Sequence, residues 1–470
     1  MMRMINRLFQ LTWFPLVFQL LTLVVFILLI AGGLPANTGD MAFAKVLRNT
    51  NVANLIVWSY WWPLITLSAM FLGRVWCAVC PMELMTSLAS RFGLKLEPPA
   101  FLRSGWVMTI FYCLVLFVGI HTLAIHRVPF RMAIYMLILF GAAVMVGLLF
   151  SRNTFCASVC PVGHLLGLYA RLAPMGWGVR DRSLCMECTD LSCISRRTAY
   201  EFQGRSCGVG LRPADIDDNS ECLICGQCLK ACSRNDPGIE GRPNPGWFPR
   251  RWFKDILDLK PMTPAQVAFC LVVSGFVIYE VFSEWGTTKA LLLWVPSTVE
   301  QALGVYGALA HGMVVSLTIF VALPALLWFL PFAAFRLAGG RLRLSDYLLR
   351  FGIAFIPIMA AAHAVKALLK TTSRIPYWKY VPSDPLGIET ARNILDKTVI
   401  LAPLPAWRDP LITVVSLVMM TVAIGLSLIV VRKLIAHRLP ESGWRSLPFY
   451  LIPGLYGGGF FVMLVAWRLF

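Results

Sequence analysis

Charge is scarce in this sequence, and acid is scarcer still. Only 14% of the 470 residues are Asp, Glu, Lys or Arg, against about 25% in an ordinary soluble domain. With 58% hydrophobic residues gathered in long runs, that shortage excludes a disordered chain, a disulfide-stapled secreted module and a simple soluble enzyme. Few acidic residues fall inside the apolar runs, where a permease is expected to carry paired carboxylates in broken helices. A transporter is therefore the weaker reading. Only 151–263 is long and polar enough to form an extramembrane domain.

What is present is a set of about nine apolar runs, near 13–32, 53–72, 106–124, 131–150, 264–283, 304–331, 350–369, 410–431 and 447–467. Each approaches the roughly 20 residues that cross about 30 Å of hydrocarbon. The fold class is an α-helical polytopic membrane protein with one small polar domain inserted. The first run follows Arg3 and Arg7 but exceeds the core of a signal peptide, so it reads as an anchor. The net charge of +18 marks topology rather than a nucleic-acid partner. Arg74, Arg91, Lys95 and Arg103, then Arg336, Arg341, Arg343 and Arg350, then Arg432, Lys433, Arg438 and Arg445 follow the second, sixth and eighth runs. All three groups fall on one side, which the positive-inside rule makes cytoplasmic. The expected location is the bacterial inner membrane, with the N-terminus and the polar segment 151–263 inside. Three regions result: 1–150 with four spans, 151–263 as the cytoplasmic insert, and 264–470 with five spans. A Pro- and Trp-rich outer segment, 371–409, carries a helical pattern near 387–398.

The first region repeats itself. Gly73-Arg74-Val75-Trp76-Cys77-Ala78-Val79-Cys80-Pro81 follows the second run, and Phe155-Cys156-Ala157-Ser158-Val159-Cys160-Pro161 follows the fourth. The match continues through Leu88–Arg91 and Leu168–Arg171. Two hairpins of one design thus end in Cys-Pro motifs on the same side, and such duplication often builds a shared site. For Cys77, Cys80, Cys156 and Cys160, three readings stand open: a third iron–sulfur centre, a thiol/disulfide or copper site, and helix-end packing. The duplication argues against mere packing.

Ten of the fourteen cysteines lie in 151–263. Cys222-x2-Cys225-x2-Cys228-x3-Cys232 has the bacterial ferredoxin spacing, in which three thiolates hold one [4Fe–4S] cluster and the fourth reaches a second. The residue after it is Ser233 rather than the usual Pro. Cys185, Cys188, Cys193 and Cys207 supply a companion set, so two cubanes are expected and the inserted domain is a small cytoplasmic two-cluster ferredoxin-like one. The crossed assignment of two-cluster ferredoxins joins Cys185, Cys188, Cys193 and Cys232, and separately Cys207, Cys222, Cys225 and Cys228. Disulfides are disfavoured in a reducing cytoplasm, and structural zinc uses CxxC pairs rather than a triple run. Arg182, Arg196, Arg197, Arg205, Arg212, Lys230 and Arg234 surround the motif. They suit reduced clusters or an acidic donor, and equally a plain topology signal.

The two Cys-Pro hairpins followed by two ferredoxin-type cysteine sets resemble the membrane polyferredoxins of the NapH/NosR/CcoG type over roughly residues 50–240. Members of that family pass electrons between the quinone pool or cytoplasm and periplasmic metalloenzymes, or support reduction and assembly of metal centres. Polyferredoxins of iron-uptake systems are similar in general layout. The resemblance implies a lipid-embedded electron carrier with a periplasmic redox or metal-binding partner and a quinone or cytoplasmic donor. The alternative is reduction of iron or copper for uptake or insertion, and an assembly factor delivering metal is a further one. The first motif departs from the family in having two residues, not three, between its cysteines, and no flavin-attachment stretch is present.

Ionisable residues inside spans are functional candidates by default. His311 and His363 lie at similar depths in consecutive antiparallel runs, where they are positioned to ligate a haem b or a metal ion; packing is the competing reading. Cys113 and Cys270 stand singly within spans and read as core residues. Glu280 and Glu284, at the outer end of the fifth run, read as interfacial.

Overall fold

The computed structural model describes residues 2–202, 204–232, 245–304 and 307–470. The described residues are mostly helical and include a two-stranded antiparallel sheet in which Met175–Gly178 pairs with Gly246–Pro249. Among the described residues, eight helices are long and apolar enough to span a membrane: Leu16–Gly33, Val52–Leu72, Pro129–Leu149, Pro264–Phe282, Ala308–Leu337, Leu344–Lys379, Arg408–Arg438 and Pro440–Leu469. The third expected run, near 106–124, forms the shorter apolar helix Trp106–Ile120. A further helix, Gly286–Leu303, is not among these candidate spans.

Local chemistry sets the helix boundaries. Thr263 and Gln266 form a capping box around Pro264, which satisfies the orphan N–H groups at the start of that span. The Asn51 side chain accepts from Asn54 N at 3.1 Å and starts the helix leading into Val52–Leu72. Leu16–Gly33 is apolar on every side, and Leu21, Val24, Ile27 and Leu28 stay exposed, as lipid-facing side chains do.

The chain divides into two compact units that interleave in sequence. One comprises 1–31, 65–108 and 133–255, and the other 32–64, 109–132 and 256–470. In the second, Leu344–Lys379 is the most buried span and packs against Pro264–Phe282 and Arg408–Arg438. Its alanines at 360, 361, 362, 364 and 367 leave room for close helix approach. Trp328 stacks on Phe355 at 4.2 Å, and Ser427 Oγ donates to the Ala354 carbonyl at 2.7 Å.

In the first unit the N-terminal helix Met2–Gln10 covers the ferredoxin-like segment. Phe9 sits edge-on to Trp177 at 5.2 Å and to Phe14 at 4.8 Å, within a core that includes Ile224, Cys228, Leu229 and Trp247. Asn6 exchanges two hydrogen bonds with the backbone of Trp247, at 3.0 and 2.8 Å. The N-terminus and the segment are therefore on the same side.

Candidate iron–sulfur sites

Both Cys-Pro motifs fold alike because proline dictates the backbone before it. A residue preceding proline is driven out of the α region, and proline opens a helix well because it lacks the N–H that would be orphaned there. Val75–Val79 ends at Cys80, which is extended at φ −70° and ψ 131°, and Pro81 begins the helix Pro81–Phe92. In the repeat, the π-helical turn Phe155–Val159 ends at Cys160, at φ −54° and ψ 119°, and the helix Gly163–Ala170 follows. Each second cysteine thus sits at a helix break with its sulfur freed from the helical array.

The four sulfurs of Cys77, Cys80, Cys156 and Cys160 lie within electrostatic reach of one another. Burial, then the Cys77 sulfur, pushes the Cys160 thiol up to about 11. Arg74, 6% exposed, is hydrogen-bonded to Cys77 and donates through Nη1 to the Ser220 carbonyl at 3.0 Å. Ser220 lies two residues before Cys222, so Arg74 joins the Cys-Pro site to the ferredoxin motif.

The ferredoxin-type cysteines gather in two sets. Cys185, Cys188, Cys193 and Cys232 line one small cavity with Leu184, Leu191, Arg212 and Pro213. Burial, then Cys232, Cys185 and Cys188, pushes the Cys193 thiol up to about 11. Cys207, Cys222, Cys225 and Cys228 are electrostatic neighbours in a second group. Burial, with Glu83 next, pushes Cys225 up to about 12. Three N–H groups point at sulfurs of this group: Trp177 Nε1 at 3.2 Å from Cys228, Leu211 N at 3.3 Å from Cys207 and Ile224 N at 3.4 Å from Cys222. Gly226, at φ +72°, provides the left-handed turn that lets the helix Gln227–Ala231 start directly after Cys225.

These residues fit iron–sulfur clusters. Buried thiols with neighbouring N–H donors suit a metal that takes them as thiolates, and hydrogen bonds to sulfur tune such centres. Among the described residues, no three His, Cys, Asp or Glu side chains close on a point as they would around one ion, where Zn–S bonds of about 2.3 Å would draw sulfurs to about 4 Å of each other. The sulfurs of the first set stand around a cavity instead.

Several residues that sequence reasoning missed hold these motifs together. Glu83 is fully buried and accepts from Gln19 Nε2 and Asn153 Nδ2, each at 2.6 Å, and from Arg205, which also donates to Ser87. Its one sequence signal was an acid in the first turn of a helix. The expected basic cluster is spoken for in several different ways. Arg205 is buried against Glu83, Arg212 donates to the Cys185 carbonyl and Lys230 to the Leu11 carbonyl at 2.7 Å. Arg196 pairs with Glu97 at 2.8 Å in the open, Arg182 lies 3.8 Å from Asp215, and Arg234 is outside the described residues.

The histidines have separate surroundings. His311 is largely exposed and bonded to Glu300 at 2.8 Å. His363 is buried, 5.8 Å from the Phe276 ring. Cys270 is buried beside Met262, with sulfurs 3.8 Å apart. Glu280 and Glu284 both pair with Lys366, at 3.1 and 2.5 Å.

Two stretches of the chain, 54–99 and 132–183, match the family described as a 4Fe-4S binding domain, and each contains one Cys-Pro pair. Protein NirI of Paracoccus denitrificans is 29% identical over 38% of this chain and 27% of its own length. An uncharacterized protein of Methanocaldococcus jannaschii is 24% identical over 35% of this chain and 64% of its own. The matches thus span about a quarter of one relative and just under two thirds of the other. No solved structure matches.

Proposed function

We propose that this chain, an iron–sulfur membrane protein of ferredoxin type, carries electrons between the cytoplasm or quinone pool and an acceptor on the outer side of a bacterial inner membrane. The observation that carries this reading is the position of Arg74, buried with one contact to Cys77 of the first Cys-Pro motif and another to the backbone just before Cys222. Two cysteine groups of redox type thereby share a wall.

In this reading Cys185, Cys188, Cys193 and Cys232 hold one [4Fe–4S] cluster, Cys207, Cys222, Cys225 and Cys228 a second, and Cys77, Cys80, Cys156 and Cys160 a third. The third is favoured over copper by the match of both hairpins to a 4Fe-4S binding domain. Such clusters supply one-electron oxidation and reduction. The chain's own residues exclude water with Phe9, Trp177 and Trp247, compensate negative charge with Arg74, Arg205 and Arg212, and hold the hairpins together through Glu83 and Asn153. The ferredoxin-like segment would face the cytoplasm, and 371–409 would dock the acceptor. A second use of the same wiring is reduction of iron or copper for uptake or insertion.

Anaerobic purification with iron and sulfide analysis tests the assignment: about twelve irons are expected for three cubanes and about eight for two. Replacing Cys77 and Cys80 with Ser should lower the count by about four; an unchanged count removes the third centre. A haem ligated by His311 and His363 would require His311 to leave Glu300. His311→Ala should abolish any haem absorbance, and an unchanged visible spectrum ends that part of the proposal.

A further inference from the structure

Away from the cysteines, the second unit holds a concentration of positive charge that its own acids do not neutralise. Lys366, Lys370 and Arg374 recur every fourth residue in Leu344–Lys379, so they lie along one helix face. Lys366 takes both nearby carboxylates, Glu280 and Glu284. Nothing comparable meets the next two. Neither side chain makes a hydrogen bond or ion pair among the described residues: Lys370 Nζ lies over the Trp58 ring at 5.8 Å with Glu280 only as an electrostatic neighbour, and the Arg374 guanidinium lies 6.0 Å from the Tyr377 ring with Glu284 and Tyr60 in the same role. Arg48, from the helix Met41–Thr50, has no hydrogen bond or ion pair from its side chain among the described residues, and its electrostatic neighbours include Arg374, Arg127, Glu280 and Glu284. The Nε atoms of Arg48 and Arg374 are buried without a partner.

Two neutral donors complete the arrangement. His126 accepts from Arg127 Nε at 3.1 Å through Nε2, which assigns the ring proton to Nδ1. That Nδ1 is buried and unpartnered, as is Trp58 Nε1. The Trp58 and His126 rings are 6.4 Å apart, and His126 has three cations, Arg127, Lys370 and Arg48, and one carboxylate, Glu280, as electrostatic neighbours. The surrounding frame is well made. Tyr60 bonds Trp378 at 2.6 Å, Thr371 Oγ1 donates to the Ser59 carbonyl at 2.6 Å, and Thr50 Oγ1 to the Gly387 carbonyl at 2.7 Å. Buried cations elsewhere in this unit are supplied with acceptors: Arg408 bonds Thr372, Asp409 and the Leu369 carbonyl, and Arg468 bonds Asp409.

Half-buried guanidinium and ammonium groups without acceptors cost desolvation energy that an anion would recover. We propose that Arg48, Lys370 and Arg374, with the N–H groups of His126 and Trp58, form a binding site for a multiply charged oxyanion, carboxylate or phosphate. The site lies at the end of these spans that the positive-inside reading assigns to the outside. It stands whether or not the chain carries electrons. Two sources share this chemistry, a free small polyanion and an anionic lipid headgroup.

The test uses the full-length, iron-loaded protein in neutral detergent, with citrate and inorganic phosphate as probes at fixed ionic strength against chloride, because screening alone would mimic specificity. Either probe should raise the unfolding temperature saturably, and Lys370→Gln with Arg374→Gln should abolish the shift while leaving the iron content unchanged. Arg48→Gln, on a different helix, should weaken binding at least tenfold and serves where the double variant does not fold. If instead the wild type, but not the variants, is stabilised in nanodiscs of phosphatidylglycerol over phosphatidylcholine and ignores citrate and phosphate, the oxyanion is a headgroup. Equal shifts in wild type and variants, or no shift with any probe or lipid, overturns the site. Iron content reads the electron-transfer proposal separately, so failure of one is not failure of the other.

Discussion

Asn153 Nδ2 donates to Glu83 Oε1 at 2.6 Å, and this bond joins a residue three positions before Cys156 to one three positions after Cys80. The duplicated hairpins are thus locked together by a carboxylate that neither motif contains. Because Arg205 closes on the same oxygen, the ferredoxin-like segment is tied in at the same point.

Removing that carboxylate leaves Arg205 buried without its counter-charge. Glu83→Ala should cost about 3–5 kcal/mol, the typical loss when one partner of a buried pair is deleted. Denaturant unfolding of the solubilised protein measures it, and a loss below about 1 kcal/mol would show that the network is not structural.

The crossed cysteine sets predict a pattern of non-additivity. Cys232→Ser alone should release about four irons, and adding Cys185→Ser should release no more. Combining Cys232→Ser with Cys222→Ser should release about eight. The reverse outcome would assign Cys232 to the cluster of its own sequence motif.

Phe9 contributes to the ferredoxin-like segment from 168 residues before Trp177. Phe9→Ala should cost about 3–5 kcal/mol and raise hydrogen exchange around Ile224–Leu229 while leaving the spans protected. Unchanged exchange there would mean that the N-terminal helix is an ornament of the segment rather than its lid.

The cluster-free protein should weaken in alkali. Cys193, whose ordinary value is 9.0, is raised to about 11, and Cys225 from the same value to about 12. Thiols raised in the folded state contribute stability that is complete below pH 9.0 and lost as pH climbs through 11 to 12. Unfolding curves of iron-free protein from pH 8 upward should show this fall, and iron-loaded protein should not, since its thiolates are already deprotonated.

Spans, Cys-Pro breaks and the ferredoxin spacing were legible in the sequence because each depends on residues close in the chain: an apolar run long enough to cross lipid, a proline that redirects the backbone before it, a four-cysteine spacing suited to a cubane. The gathering of Cys232 with Cys185, Cys188 and Cys193 was legible by the same route, through the known crossing of such motifs. Tertiary structure alone decided the rest. Glu83 reads as an ordinary helix-start acid until Asn153 and Arg205 arrive from 70 and 122 residues away. Arg205 and Lys230 read as charge for reduced clusters, an acidic donor or topology until one is buried on a carboxylate and the other donates to the Leu11 and Phe14 carbonyls after the first helix. His311 and His363 match in depth along their spans, yet depth says nothing of the direction in which a helix turns its side chains. Arg48 and Lys370 are 322 residues apart, and only folding makes them members of one unneutralised cluster. The division is physical: local sterics and hydropathy act over a few residues and can be read in order, whereas charge pairing acts through space between partners the sequence keeps far apart.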